Sequence, residues 1–263
     1  MVEGFWYALG LTMLAGLSTS IGGVIGVLGK AKSTWLLALG LGFSAGVMIY
    51  VSLVEILPEG RDSLVAAWGA APGNWAALGA FFGGIALIGV IDRLVPASIN
   101  PHEPSTVTDK ARSRALMHTG VLTALALAIH NFPEGFATFI AALQEPQVGV
   151  AVAVAIAIHN IPEGLAVAVP LRHATGSRLK GFLWATLSGL AEPAGAIVGY
   201  LLLEPYISDA LLGLVFAGIA GIMVFISIDE LLPTAEEYGE HHWAMYGVIA
   251  GMAVMAVSLV LFL

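Results

Sequence analysis

The sequence predicts an all-α integral membrane protein, with eight transmembrane helices in a 3+2+3 inverted-repeat bundle and both termini outside. Three observations carry this prediction. The 263 residues are 58% hydrophobic and only 11% charged, with a mean hydropathy of +0.91, far from the balance of a soluble domain. Apolar runs long enough to cross about 30 Å of hydrocarbon as helices recur along the chain. Two pairs of stretches, placed on either side of a duplicated polar motif, repeat one another in opposite directions.

The expected spans are 4–28, 34–57, 74–91, 115–143, 147–171, 181–203, 209–230 and 243–262. The first is too long for a cleavable signal and has Glu3 rather than a basic region before it. Between helices three and four lies the longest polar segment, 94–114, which contains Pro96, Pro101 and Pro104 and reads as a flexible cytoplasmic loop. Helices four and five are joined by a short turn around Glu145, Pro146 and Gln147. No soluble domain is inserted, so 1–263 is expected to form a single transmembrane transporter domain.

Orientation follows from Lys and Arg. With the N-terminus outside, the cytoplasmic loops and helix ends hold Lys30, Lys32, Arg93, Lys110, Arg112, Arg114, Arg172, Arg178 and Lys180, leaving only Arg61 outside. The outer loops then carry Glu3, Glu59, Asp62, Glu145, Glu204 and Asp209, a field that attracts cations and repels anions, nucleic acid included. The absence of cysteine removes disulfides and thiolate ligation.

The repeats sharpen the architecture. AGVMIYVSLVEILP at 45–58 and AGIMVFISIDELLP at 220–233 are identical at seven of fourteen positions, and LAGLSTSIGGVIGVL at 14–28 resembles LSGLAEPAGAIVGYL at 187–201. Helices one and two therefore echo six and seven, and four echoes five, each pair running in opposite directions. Helices three and eight show no convincing match.

Inside the apolar runs, AIHNFPEGFA at 128–137 and AIHNIPEGLA at 157–166 place His, Asn, Pro, Glu and Gly twice in one order. In each copy Glu follows His by four residues, so His130 and Glu134, and His159 and Glu163, share a helix face about 6 Å apart along the axis. Two antiparallel helices bring both pairs to one depth, as nitrogen and oxygen donors suited to Zn2+, Fe2+ or Mn2+. Pro133 and Pro162 free the carbonyls of Ile129 and Ile158, Asn131 and Asn160 add amide oxygens, and Gly135 and Gly164 permit close helix approach. Glu192 stands near the centre of helix six, opposite Thr19 in helix one. An ionised carboxylate there costs roughly 2.5 to 3.5 kcal/mol, which a bound divalent cation offsets. Glu55 and Glu230 lie near opposite faces, with Ser52 and Ser227 one turn deeper, and His102, His118, His173, His241 and His242 fall on the cytoplasmic side.

At these motifs the chain resembles the ZIP (Zrt/Irt-like protein) family of divalent metal transporters, in its bacterial ZupT-like branch. The resemblance implies uptake of Zn2+, and often Fe2+, Mn2+, Co2+ or Cd2+, into the cytoplasm across a bacterial inner membrane. It implies two adjacent metal sites between helices four, five and six. His130, Glu134, His159 and Glu163 would build one, while Asn131, Asn160, Glu163 and Glu192 would build its neighbour, with Glu163 bridging. The long histidine-rich loop of many eukaryotic members is absent. The expected partners are the transported ions and the lipid bilayer, with no prosthetic group, and small-residue positions such as Gly83, Gly84 and Gly89 are compatible with a homodimer. An intramembrane metalloenzyme built on the same His/Glu cluster is the rival reading, but it requires an open coordination position and a separate base. A metal sensor would need an output domain that the chain lacks.

Overall fold

The computed structural model describes residues 4–29, 34–94, 109–203, 206, 208–238 and 241–262. Its elements are α1 (Phe5–Leu28), α2 (Thr34–Val51), α3 (Leu57–Trp68), α4 (Ala70–Leu94), α5 (Asp109–Gln144), α6 (Pro146–Thr175), α7 (Arg178–Gly189), α8 (Ala191–Leu203), α9 (Asp209–Ile226), α10 (Leu232–Tyr238) and α11 (His241–Phe262). No strand occurs among the described residues. Single π-helical turns, Ser52–Ile56 and Ser227–Leu231, weld α2 to α3 and α9 to α10.

Seven of the resulting rods are long and apolar enough to cross a membrane: Phe5–Leu28, Ala38–Trp68, Ala70–Ile91, Pro146–Arg172, Arg178–Leu202, Asp209–Glu236 and His241–Val260. The remaining expected span, 115–143, lies within α5. Large apolar side chains such as Leu14, Ile21, Leu201, Ile249 and Val257 point outward, which suits lipid and would be costly in water. The protein is thus a multi-pass membrane protein. Trp6, Trp68 and Trp75 mark one end of the rods, and at the other Trp35 packs against Trp243 with ring centroids 5.2 Å apart.

Several boundaries differ from expectation. Helices two and seven run past 57 and 230, through Pro58 and Pro233, to Trp68 and Tyr238. A proline cannot donate to the preceding turn and crowds its carbonyl. Both rods absorb this by widening just before the ring, with Leu57 N–H bonding the Ser52 carbonyl and Leu232 N–H bonding that of Ser227. The duplicated stretches therefore share the same local deformation. Most of the expected second loop is helix, and the chain reverses at Gly69, whose φ of 86° suits glycine. Residues 109–114, placed in the cytoplasmic loop, are also helical, because a run rich in Ala, Arg, Leu and Lys continues α5 beyond the apolar segment. The loop's prolines, together with Lys30, Lys32, His102, Glu3, Glu204 and Glu240, lie outside the described residues, as do the side chains of Lys110, Arg112, Arg114, His118, His130, His173 and Glu237.

The helices fall into two groups. In one, α1 packs on α6 and α7, and α5 packs on α6 and α8; in the other, α2 packs on α11, and α9 packs on α3 and α4. The main seam between them is α2 against α6. Within each group backbones touch at glycines. A Cβ on Gly84 would strike the Gly218 carbonyl, and one on Gly251 would strike that of Phe43. Likewise Gly221 sits on the Phe81 carbonyl and Gly46 on that of Val248. Such approaches replace the missing hydrophobic drive between helices in lipid with dispersion contact.

Candidate metal centre

The single residue Glu145 reverses the chain between α5 and α6, setting the two polar motifs side by side. Asn131, His159, Asn160, Glu163 and Glu192 are 0% exposed and Glu134 is 1% exposed. His159 Nε2 lies 3.1 Å from Glu134 Oε1 on the neighbouring helix and 4.0 Å from Glu163 Oε1 one turn further along its own. Among the described residues neither Glu134 oxygen accepts a hydrogen bond, so that pair is close without a donor aligned on an acceptor. His130 occupies its place on α5, but its imidazole lies outside the described residues. Among the described residues no three His, Asp or Glu side chains are drawn tightly enough together to enclose an ion.

The two asparagines are held in matching ways. Asn131 Nδ2 donates to the Ser188 carbonyl at 3.2 Å, and Asn160 Nδ2 donates to the Ala15 carbonyl at 3.0 Å. Ser188 and Ala15 are themselves matched positions in the repeat of α1 with α7 and α8. Each amide thus commits its nitrogen to backbone and leaves Oδ1 buried without a partner among the described residues, a lone pair turned into the protein rather than to water. The Asn160 amide also donates to Glu192 Oε1, while Glu192 Oε2 has no hydrogen bond among the described residues.

Glycine explains how α8 comes this close. A side chain on Gly135 would run into the Glu192 backbone, and one on Gly164 into the Thr19 carbonyl, so α8 and α1 lie directly on the two motif helices. The rod carrying Glu192 is broken at Leu190, between α7 and α8, where Pro193 cannot donate to the Gly189 carbonyl. Glu134, Glu163 and Glu192 are all buried, so three acids share one low-dielectric region.

Of the flanking residues, Glu55 and Glu59 line a cavity of about 220 Å3 together with Glu134, Gln144, Glu145 and Phe216. It connects the exposed end of α5 and α6 with the buried Glu134. Toward the opposite end of the rods, Leu41, Leu127, Leu171 and Leu231 are at most 3% exposed. Ser227 bonds its own helix at the Met223 carbonyl, 2.7 Å away, whereas the Ser52 hydroxyl has no partner among the described residues. His241 pairs with Glu236 at 2.8 Å on the surface, away from the buried cluster.

One participant carries a signal that the sequence offers only weakly. Ser44 on α2 donates to Glu163 Oε1 at 3.1 Å. It is the lone hydroxyl in the apolar stretch between Thr34 and Tyr50.

The sequence is similar to known proteins over nearly its whole length. The family described as ZIP Zinc transporter matches residues 94–259. A zinc transporter ZupT of Corynebacterium glutamicum is 64% identical over 261 residues, covering 98% of this chain and 99% of the relative. Its namesake in Streptococcus mutans is 54% identical with full coverage of both chains, and that of Chlorobium chlorochromatii is 53% identical, again with full coverage. On this agreement of motifs, helices and relatives, the chain belongs to the ZIP zinc transporter family, in its ZupT-like branch.

Proposed function

We propose that the protein carries divalent transition-metal cations, Zn2+ foremost, across the membrane into the cytoplasm, through a midplane site on α5, α6 and α8. The observation that carries this reading is the convergence of Glu134, His159 and Glu163 beside two asparagines and Glu192, each with a buried oxygen that has no hydrogen-bond partner among the described residues. Buried acids in lipid need compensation, and a cation with borderline nitrogen and oxygen preferences supplies it. His130 completes the donor set, with His130, Glu134, His159 and Glu163 around one ion. Asn131, Asn160, Glu163 and Glu192 surround a second. The names of the relatives, zinc transporters all, point the same way. Fe2+, Mn2+, Co2+ and Cd2+ share enough of this chemistry to compete. Membership of a transporter family leaves the metalloenzyme without support.

The chain acts as one transmembrane domain built on a 3+2+3 inverted repeat, with both termini outside the bacterial inner membrane. Matched π turns, matched asparagine anchors and the paired glycine contacts of α4 and α11 support that symmetry. Symmetry-related halves offer the site first to one face and then to the other. The acids at the cavity mouth gather cations from outside.

Radiozinc uptake into proteoliposomes tests the proposal. Wild-type protein accumulates zinc against a chelator-free interior, and Glu134→Ala and Glu163→Ala reduce uptake at least about tenfold at equal incorporation. Uptake equal to wild type in both variants would sink the site.

A further inference from the structure

Every proposed donor stands in the helix group of α1, α5, α6, α7 and α8, yet one hydroxyl reaches the site from the other group. Ser44 is 0% exposed and donates to Glu163 Oε1 at 3.1 Å, with the His159 carbonyl a longer second acceptor at 3.5 Å. Buried hydroxyls in apolar helices ordinarily bond the carbonyl four residues back, as Thr12, Thr138 and Ser227 do here. Ser44 instead crosses the seam. In the repeat its partner position is Ile219, which has no hydroxyl. The contact is therefore not imposed by the symmetry of the fold, and it lies on a carboxylate at the heart of the site.

We propose that Ser44 is a positioning residue that fixes how Glu163 presents its carboxylate, and thereby sets the preference of the site among divalent metals; this rests on the functional reading above. A hydroxyl held on Oε1 competes with an ion for that oxygen and disfavours bidentate binding. One-oxygen ligation suits four-coordinate Zn2+. Without the hydroxyl both oxygens turn to the ion, which suits cations that accept more oxygen ligands, such as Mn2+.

The test uses the full-length protein in proteoliposomes, with radiozinc influx measured alone and against Mn2+ as competitor. Ser44→Ala raises the zinc KM about tenfold and makes Mn2+ a relatively stronger competitor, and Ser44→Thr restores both. Should the alanine variant fail to accumulate, Ser44→Cys keeps the volume, weakens the donor and gives the same comparison. The proposal is overturned if the alanine or cysteine variant matches wild type, if zinc and manganese are weakened equally, or if threonine fails as alanine does. Glu163→Gln run in parallel separates the two levels: uptake lost there with Ser44→Ala unaffected removes only Ser44, whereas uptake retained in Glu163→Gln removes the site itself.

Discussion

Asn160 on α6 holds Glu192 on α8 through its amide nitrogen, and the same nitrogen is tied to the Ala15 carbonyl on α1. One side chain thus orients an acid and links three helices. Asn160→Ala leaves Glu192 buried without its donor, a loss of about 1 to 3 kcal/mol for leaving a buried acceptor unsatisfied. Zinc uptake falls and the thermal midpoint of the detergent-solubilised protein drops, whereas Asn131→Ala lowers stability without disturbing Glu192. Equal thermal midpoints for wild type and Asn160→Ala would show that the bond does not contribute.

Glu134 accepts no hydrogen bond while approaching His159, so its charge has little compensation from donors in the described protein. Glu134→Gln removes that charge at constant volume. The empty protein becomes equally or more heat-stable, and zinc transport falls at least about tenfold. The opposed signs distinguish a functional carboxylate from a structural one, which would lose stability first.

Glu59 and Glu145 stand at the exposed mouth of the cavity that leads to Glu134. Their neutralisation as Glu59→Gln with Glu145→Gln should raise the zinc KM severalfold, leave the maximal rate alone, and flatten the dependence of KM on ionic strength, since exposed fields are screened within about 8 Å at physiological salt. Influx measured across a salt series checks all three.

Glycines differ sharply in what surrounds them. Gly164→Val would drive a side chain into the Thr19 carbonyl and separate α6 from α1, and Gly135→Val would do the same between α5 and α8. Each is expected to cost about 3 kcal/mol or more, the severe end of overpacking. Gly79→Ala and Gly83→Ala meet open space and stay within about 0.5 kcal/mol of wild type. Thermal stability in detergent ranks the four.

Much of this was readable from the chain because lipid demands such simple patterns. Uninterrupted apolar runs delimit seven of the spans, and the rarity of acids in them singled out Glu134, Glu163 and Glu192. Helix ends were harder. Pro58 and Pro233 look like terminators, yet a widened turn ahead of each lets the rod continue, and nothing local in the sequence announces such a turn. The matching glycine contacts of α4 and α11, Gly84 on the Gly218 carbonyl and Gly251 on that of Phe43, escaped comparison of side chains because they lie in where glycines meet backbone. Ser44 was missed for a related reason. A hydroxyl on a greasy helix reads as self-satisfied until its partner on a distant stretch is known.

The π turn at Ser52–Ile56 also lets one rod change neighbours midway, since α2 lies on α11 and α6 while α3 lies on α4 and α9. A π turn amounts to one residue inserted into an α-helix, and each residue of an α-helix advances the facing by about 100°. Loss of one residue inside the turn would trade the bulge for plain helix and keep Gly60 against Gly213. Loss of one residue elsewhere on the rod would swing everything beyond it away from its neighbours. The turn is therefore the place on this rod where a lost residue disturbs the facing of the distal half least, and what it forfeits is the room the bulge makes ahead of Pro58.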